Sequence, residues 1–471
     1  MKLDGTIRIE YVEIINFMNV QHGKIYFPHS LKNYKYKTES DIVGLYGQNG
    51  SGKTAFVHVL DIIKRCLSGS ALSEDTAEYI TYKKHFSEIH TAFKFIKDGE
   101  ESYFYYDLIL SIENNKTEGN KGELVYISSE TLSYKGKTSR KRVLLQYDND
   151  SVLKPKSMID GLCESDSILK LNFINGSVQA QRKSFLFSQE LSEFFAKSYH
   201  KDQISKNDNF KTMLYVIREL QVFAREYLYV IGMRDNGLIN LSLIQPVYFH
   251  LIEQKSRTTS FGTLGFSLDR AALIPKDAVH TAEKLIDDMN IVLQYLVPDL
   301  RIILKNLGIE LDEKGNSIAR VELVSQRDGQ EFPLRFESEG IKKIISILHV
   351  FIGAYNNPSM TIVIDELDAG IFEYLLGEML SVFQESGKGQ LIFTSHNLRP
   401  LEVLHRQSIV FTTTNPVNRY VRMSNIRPNN NLRDFYYRVI QLGGEKECLY
   451  EETNRYGLAL ALRKAGSHEE T

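Results

Sequence analysis

The chain has few cysteines, little net charge and no long apolar run, and each shortage closes off a class of protein. Cys66, Cys163 and Cys448 stand far apart in 471 residues. Their spacing fits no metal-ligand or redox pair and no disulfide framework, so a reducing cytoplasm is the expected home. Lys and Arg total 57 against 59 for Asp and Glu. That balance gives no global argument for nucleic acid, so any such surface must be local. No apolar stretch approaches the roughly 20 residues of a membrane span. The opening "MKLDGTIRIEYVEIINF" lacks the charged-then-apolar order of a signal peptide. There is no sustained heptad run, internal repeat or low-complexity tract.

What is present starts at residue 42 with "IVGLYGQNGSGKTAFVHVL". An apolar run, a glycine-rich loop and a helical pattern follow one another, the context that a phosphate-binding P-loop needs. Gly47, Gly50 and Gly52 let backbone approach a phosphate closely, and Gln48, Asn49 and Ser51 complete the loop. Its amides and the following helix amino terminus point at the anion. Lys53 would reach the β- and γ-phosphates of ATP, and Thr54 would offer a hydroxyl to Mg²⁺.

A second carboxylate-bearing strand lies far downstream, in "MTIVIDELDAG" at 360–370. Thr361 to Ile364 read as a short buried strand, and Asp365 and Glu366 stand at its carboxyl end. In a parallel sheet that is where ligands bind. Read alone, the pair is equally a solvated acidic turn; the P-loop upstream selects the other reading. Asp365 then holds Mg²⁺ through its water shell, and Glu366 is the general base for the attacking water.

The wording Gly-x-Asn-Gly-Ser-Gly-Lys-Thr, preceded by "IINFMNV", resembles ABC-type ATPases of the SMC and RecF kind. The resemblance implies an α/β, ABC-type P-loop NTPase core with a β-rich amino-terminal lobe and a helical insertion, without a long coiled coil. It implies a D-loop at "LDAG", placing Asp368 at a dimer seam beside the nucleotide. Relatives often carry histidine shortly after that glycine, where this chain has Phe372. It implies a γ-phosphate switch at His396, just past the apolar "QLIFTS" strand; a lone histidine is otherwise an ordinary surface or core residue. It also implies a signature before the carboxylate strand. "RFESEGIKKI" occupies that place, with Ser338 27 residues before Asp365. Ser338 and Gly340 would then contact a nucleotide held by a second copy, giving a homo-oligomer with composite sites. Without that resemblance the stretch is a helix cap. Glu339, where the family has glycine, must point away from phosphate, with Arg335, Lys342 and Lys343 near enough in sequence to offset it.

The region between the motifs reads in four parts. Residues 1–150 hold the P-loop and a β-rich subdomain, with a hairpin turning at Asp98-Gly99 and strands at "GELVYISSETLSY" and "RVLLQY". Residues 151–310 read as a mainly helical insertion: 188–231 and 276–298 have helical spacing, and "KSRTTSFGTLGFS" at 255–267 reads as a loop. Residues 311–425 carry a hairpin at Asp328-Gly329, the signature, the carboxylate strand and His396. Residues 426–471 read as helices. The basic "YKGKTSRKR" at 134–142 is either a phosphate contact or a solvated hairpin tip. "RPNNNLRDFYYRV" at 427–439 either stacks on a base or packs on the core.

The motif order and "IDELDAGIFEYLLGE" are similar to ATPases related to the OLD family, nearest in wording to the AriA-type ATPases of PARIS phage-defence systems. Only 75 residues follow His396, too few for the TOPRIM nuclease that OLD proteins append. The resemblance therefore implies a separate TOPRIM-type nuclease as effector and a phage-encoded trigger. A RecF- or SMC-like ATPase that binds DNA directly is the alternative.

Overall fold

Alternation decides the first two strands. In β1 (Thr6–Phe17) Ile7 and Ile9, then Val12 and Ile14, are buried while Tyr11 and Glu13 lie toward the other face, a period of two that switches phase at the bulge between Ile9 and Tyr11. It pairs antiparallel with β2 (Val20–Tyr26), the two joined by the short turn after Phe17. The computed structural model describes residues 3–32, 38–114, 123–149, 151–154, 165–199, 208–232, 237, 243–252, 259–311, 314–423, 431–442 and 447–466.

β3 (Asp41–Tyr46) is buried at every position and runs through the glycine loop into α1 (Lys53–Ser68). β4 (Phe86–Lys97) and β5 (Glu100–Asn114) form the expected hairpin. Asp98 and Gly99 both have positive φ, 51° and 77°, as a tight two-residue turn demands. β6 (Glu123–Lys135), β7 (Arg142–Asp148) and β8 (Ser151–Lys154) extend this antiparallel sheet to seven strands, ordered β2-β1-β4-β5-β6-β7-β8. The basic stretch 134–142 is the exposed β6–β7 tip, so the solvated reading holds for its fold.

α2 (Ser165–Ala180), α3 (Gln189–Tyr199) and α4 (Asp208–Val222) follow. The buried Glu130 carboxylate of β6 joins the sheet to the segment before α3. It accepts from Tyr106 Oη at 2.6 Å and from the Phe185 amide at 2.7 Å.

Two readings need correction. The helical reading of 188–231 runs too far, because Leu228–Ile231 is a strand, β9. Its four apolar residues follow α4 and one turn of π-helix without a break, so helical and strand patterns merge in sequence. The loop reading of 255–267 is the other: most described residues of the insertion are helical, as expected, but it also carries strands. β10 (Ile244–Ile252) pairs along its length with β11 (Thr259–Ser267), which composition marked as loop. Pairing with a neighbour overrides its Ser/Thr/Gly content. Residues 255–258 lie outside the described residues. β12 (Ala272–Pro275), the helix Lys276–Leu296 and β13 (Arg301–Leu311) complete the stretch, and β12 and β13 flank β14 (Ser317–Arg327). β15 (Gln330–Pro333) closes the hairpin at Asp328-Gly329.

The helix Glu339–Asn356 leads to β16 (Thr361–Ile364), and the helix Glu373–Ser386 to β17 (Gln390–Thr394). β18 (Ile409–Thr412) and β19 (Tyr420–Val421) come last. They build a six-stranded sheet, β19-β18-β3-β17-β16-β9, parallel except for β19. Both faces are covered, which explains the unbroken apolar runs. Val43, Leu45, Val363, Ile392 and Val410 pack toward α1 and the antiparallel sheet. Ile42, Ile362, Ile364, Leu391, Phe393 and Phe411 pack toward the helices on the other side. A fully buried side chain of this kind contributes about 1.5–3 kcal/mol, so packing on both faces outweighs any single polar contact in fixing where the strands end. Buried Gln390 locks the two sheets together, its amide donating to Ile9 O at 2.9 Å and accepting from the Ile9 amide at 2.7 Å.

In the helix Leu432–Leu442, Leu432, Tyr436 and Val439 are buried, so this part of the aromatic tract packs on the core; 427–430 lie outside the described residues. The helix Arg455–Gly466 is exposed along most of its length. No helix among the described residues is long and apolar enough to cross a membrane.

Candidate functional site

The parallel sheet delivers three strand ends to one place. β3 ends in the glycine loop, β16 in Asp365 and Glu366, and β17, between them, in Thr394. Around them is a cleft of about 470 Å³. It is lined by Asn49, Gly50, Ser51, Gly52, Lys53 and Thr54 from the loop and α1, and by Asp365, Glu366, Thr394 and His396 opposite.

Gly52 starts α1 at φ +95°, a left-handed conformation open to glycine, and so turns the first helical amides toward the cleft. The buried Lys53 ammonium donates to the carbonyls of Gly47 at 2.8 Å and Gln48 at 3.0 Å. Burial holds its pKa below the usual lysine value, and the carboxylates of Asp365, Glu366 and Asp368 partly offset this. Phosphate oxygens would replace these two carbonyls as acceptors for a charge already in place.

Opposite, Thr394 organises the carboxylates. Its hydroxyl donates to Asp365 Oδ1 at 2.6 Å and accepts from the Glu366 amide at 2.8 Å. Glu366 has φ +50°, rare for a residue with a side chain and a mark of backbone held by its surroundings. The donor set fits a magnesium–triphosphate: loop amides and one ammonium for phosphate, the Thr54 hydroxyl and the Asp365 carboxylate for the cation. A bound Mg²⁺ would supply charge neutralisation on the phosphate oxygens.

Asp368 does not line this cleft. Its Oδ2 accepts from the backbone amides of His396 at 3.1 Å and Asn397 at 3.0 Å, so it holds the loop that carries the histidine. Within its own chain Asp368 thus supports the loop of His396 through Oδ2, while its buried Oδ1 makes no hydrogen bond. Gly47 and Gln48 are also absent from the lining. Their carbonyls seat Lys53, and the Gln48 side chain accepts from the Glu451 amide at 3.0 Å.

Ser338 and Gly340 lie apart from their own chain's cleft. Ser338 is exposed and caps the helix, its Oγ accepting from the Ile341 amide at 3.3 Å. Gly340 is buried, and a Cβ there would meet Gly370 O at 1.9 Å. Its lack of a side chain therefore serves close packing on the loop after Glu366. Arg335 is turned to Asp269 O, at 3.3 Å, and Lys343 Nζ donates to Glu366 O at 3.4 Å.

Sequence reading missed several contributors. Asn19 donates through Nδ2 to Gly50 O, and Tyr420 Oη donates to Gly52 O at 2.8 Å. The Arg419 guanidinium, with its pKa lowered by burial, donates to Thr413 O at 2.6 Å and to Asn19 O. No local motif marks these residues. Thr394 left one signal, a hydroxyl ending an otherwise apolar strand.

Residues 11–236 match the family model of the AAA domain, a stretch that includes the glycine loop and α1 and ends before the signature position. No curated protein matches the chain. Solved structures similar to it include the SMC head domain from Thermotoga maritima, at 14% identity and TM-score 0.35, covering 88% of this chain and 99% of that one. Another is the Smc head domain with a coiled coil and joint from Pyrococcus yayanosii, at 10% identity and TM-score 0.40, covering 89% and 97%. The fold is α/β, with the glycine loop between β3 and α1 of a largely parallel sheet, and the match to the AAA domain covers residues 11–236.

Proposed function

We propose that the chain is an ATPase of the AAA/ABC type that hydrolyses ATP slowly and works as a pair of copies. The observation that carries this reading is the meeting of the P-loop with Asp365, Glu366 and His396 around one cleft. Lys53 and the loop amides bind the phosphates. Glu366 takes the proton of the attacking water, and His396 approaches the γ-phosphate. Ser338 of a second copy completes the site. As the likeness to AriA-type ATPases implies, the chain serves anti-phage defence, sensing a phage-encoded trigger and controlling a separate TOPRIM-type nuclease.

The test is Mg²⁺-dependent ATP turnover by the purified chain, with Lys53→Ala as control. Turnover should be measurable, and the variant should bind ATP about tenfold or more weakly. Unchanged affinity would remove the P-loop assignment. For the defence reading, a TOPRIM-type nuclease encoded beside this protein should co-purify with it; failure to associate would count against that role.

The second reading is a RecF- or SMC-like ATPase acting on DNA, for which the antiparallel sheet offers a surface of mixed charge. On the antiparallel sheet, Lys24 lies 4.0 Å from the Tyr11 ring centroid and Lys141 4.3 Å from that of Tyr105. Glu13 and Asp107 lie among them and pair with Lys24 and Lys141. Salt-dependent duplex binding by the chain alone would support this reading.

A further inference from the structure

The geometry points to Lys343 as a positioning residue that sets the general base of its own chain from the signature helix; the inference rests on the ATPase reading above. Lys343 lies in the second turn of the helix Glu339–Asn356 and is 3% exposed. Its ammonium donates to the backbone carbonyl of Glu366 at 3.4 Å. The other side of Glu366 is held as well, with its amide on Thr394 Oγ1 at 2.8 Å. Both peptide groups of a residue at φ +50° are thus pinned from outside its own strand. A general base has to be kept within a fraction of an ångström of its working position.

Stability alone does not ask for lysine at this place. Ile344, Ile345, Ile347 and Leu348 follow it and are buried. A methionine or leucine would fill similar volume without the cost of burying an ammonium. What lysine adds is reach and a charged donor for one particular carbonyl.

The same helix end is fixed to the next loop. Gly340 packs so closely on Gly370 that a Cβ would sit 1.9 Å from its carbonyl oxygen. Residues 338–343 and 366–370 therefore form one unit, with the exposed Ser338 at one corner and Glu366 at another. In a pair of copies, Ser338 would meet the neighbour's nucleotide while Glu366 serves its own. Lys343 is the link by which occupancy of the neighbour's site would adjust this chain's base.

The test compares Lys343→Met and Lys343→Arg in the full chain. The methionine variant should lose about tenfold or more in kcat while KM stays within about twofold, and arginine should restore part of the loss. The melting temperature of Lys343→Met should hold or rise. An unchanged kcat, or a parallel fall in melting temperature and ATP affinity, would overturn the inference.

Placement within a mixed pair makes the test sharper. Ser338→Arg paired with Lys53→Ala leaves one working site, built from the P-loop and Glu366 of the first chain and Ser338 of the second. Adding Lys343→Met to the first chain should silence that site, and adding it to the second should spare it. The reverse pattern would mean that Lys343 supports Ser338 rather than Glu366, which overturns the inference. If the pair without Lys343→Met is inactive, the composite-site reading fails, and the kcat of Lys343→Met alone still decides the role of Lys343.

Discussion

The candidate nucleotide cleft and the turn at Ser338 proposed as signature lie side by side, joined where Gly340 packs on Gly370, yet they are finished to different degrees. In and beside the cleft, groups are already tied down: Lys53 to two loop carbonyls, Asp365 to Thr394 and, behind the cleft, Asp368 to the amides beyond β17. The turn presents Ser338 to solvent, with its hydroxyl used as a helix cap. One region is a preorganised half-site, and the other supplies its group to nothing in its own chain's cleft. The difference teaches that, if both regions serve one reaction, the chain must meet a second copy.

The largest expected effects test that difference directly. Glu366→Gln and Ser338→Arg should each lower turnover a hundredfold or more while leaving ATP bound. They should differ when mixed with Lys53→Ala. The Ser338 variant should regain partial activity, because one site then has both halves intact. The Glu366 variant should regain none, because each of the two sites lacks a part. Equal rescue of both, or of neither while mixed pairs form, would erase the distinction between the two regions.

A smaller effect separates neighbours within the turn. Gly340→Ala forces a methyl against Gly370 O, so the loop or the helix must shift, at about 1–3 kcal/mol. Ser338→Ala loses only a cap, about 0.5–2 kcal/mol. Denaturant melts should rank Gly340→Ala as the more damaging to stability. If Ser338→Ala proves worse, the exposed residue is supporting the fold more than its surroundings account for.

Much of the fold was legible because the parallel strands are covered on both faces and the outer sheet on one. "DIVGLY" and "TIVI" could only be buried strands beside glycine or carboxylates, and "RIEYVEII" could only alternate. β9 was not legible, because its burial comes from pairing with β16, which lies more than a hundred residues away in sequence. β11 was hidden for a different reason, its Ser/Thr/Gly composition, which pairing with the preceding strand β10 overrides. In the site, the residues proposed to bind phosphate or activate water sit in motifs. Those that hold them, Thr394, Asn19, Arg419 and Lys343, act through backbone groups of distant segments. A backbone carbonyl leaves no mark on the sequence that recognises it.

Asp368→Asn sharpens the comparison from the cleft side. The carboxylate accepts from two amides beyond β17 and so sets the loop carrying His396. Asparagine keeps one acceptor of similar shape but loses the charge. Turnover should fall by about tenfold with ATP affinity little changed, since charge-assisted bonds are about twice as strong as neutral ones. A loss of affinity equal to that of Lys53→Ala would instead place Asp368 on the nucleotide.

The smallest effect concerns the far side of the signature helix. His349 lies on that helix, and its Nδ1 accepts from the His250 amide of β10 at 3.4 Å. Both imidazoles are buried, and burial lowers each pKa from 6.5 to about 4. The unfolded chain therefore takes up protons near pH 6.5 that the folded chain refuses until about pH 4. Stability from these groups is complete above pH 6.5 and is lost as pH falls toward 4, by about 1 kcal/mol per pH unit from each. His349→Leu should flatten the decline measured by denaturant melts between pH 7 and about 5. Hydrogen exchange in 339–356 should rise with acid before that in α1, because two imidazoles held down to about 4 lie beneath the helix Glu339–Asn356, whereas α1 carries one histidine lowered by burial, His58. If α1 loosens first, the acid-sensitive side of the molecule is the cleft, and the two regions differ in a way opposite to the one their packing implies.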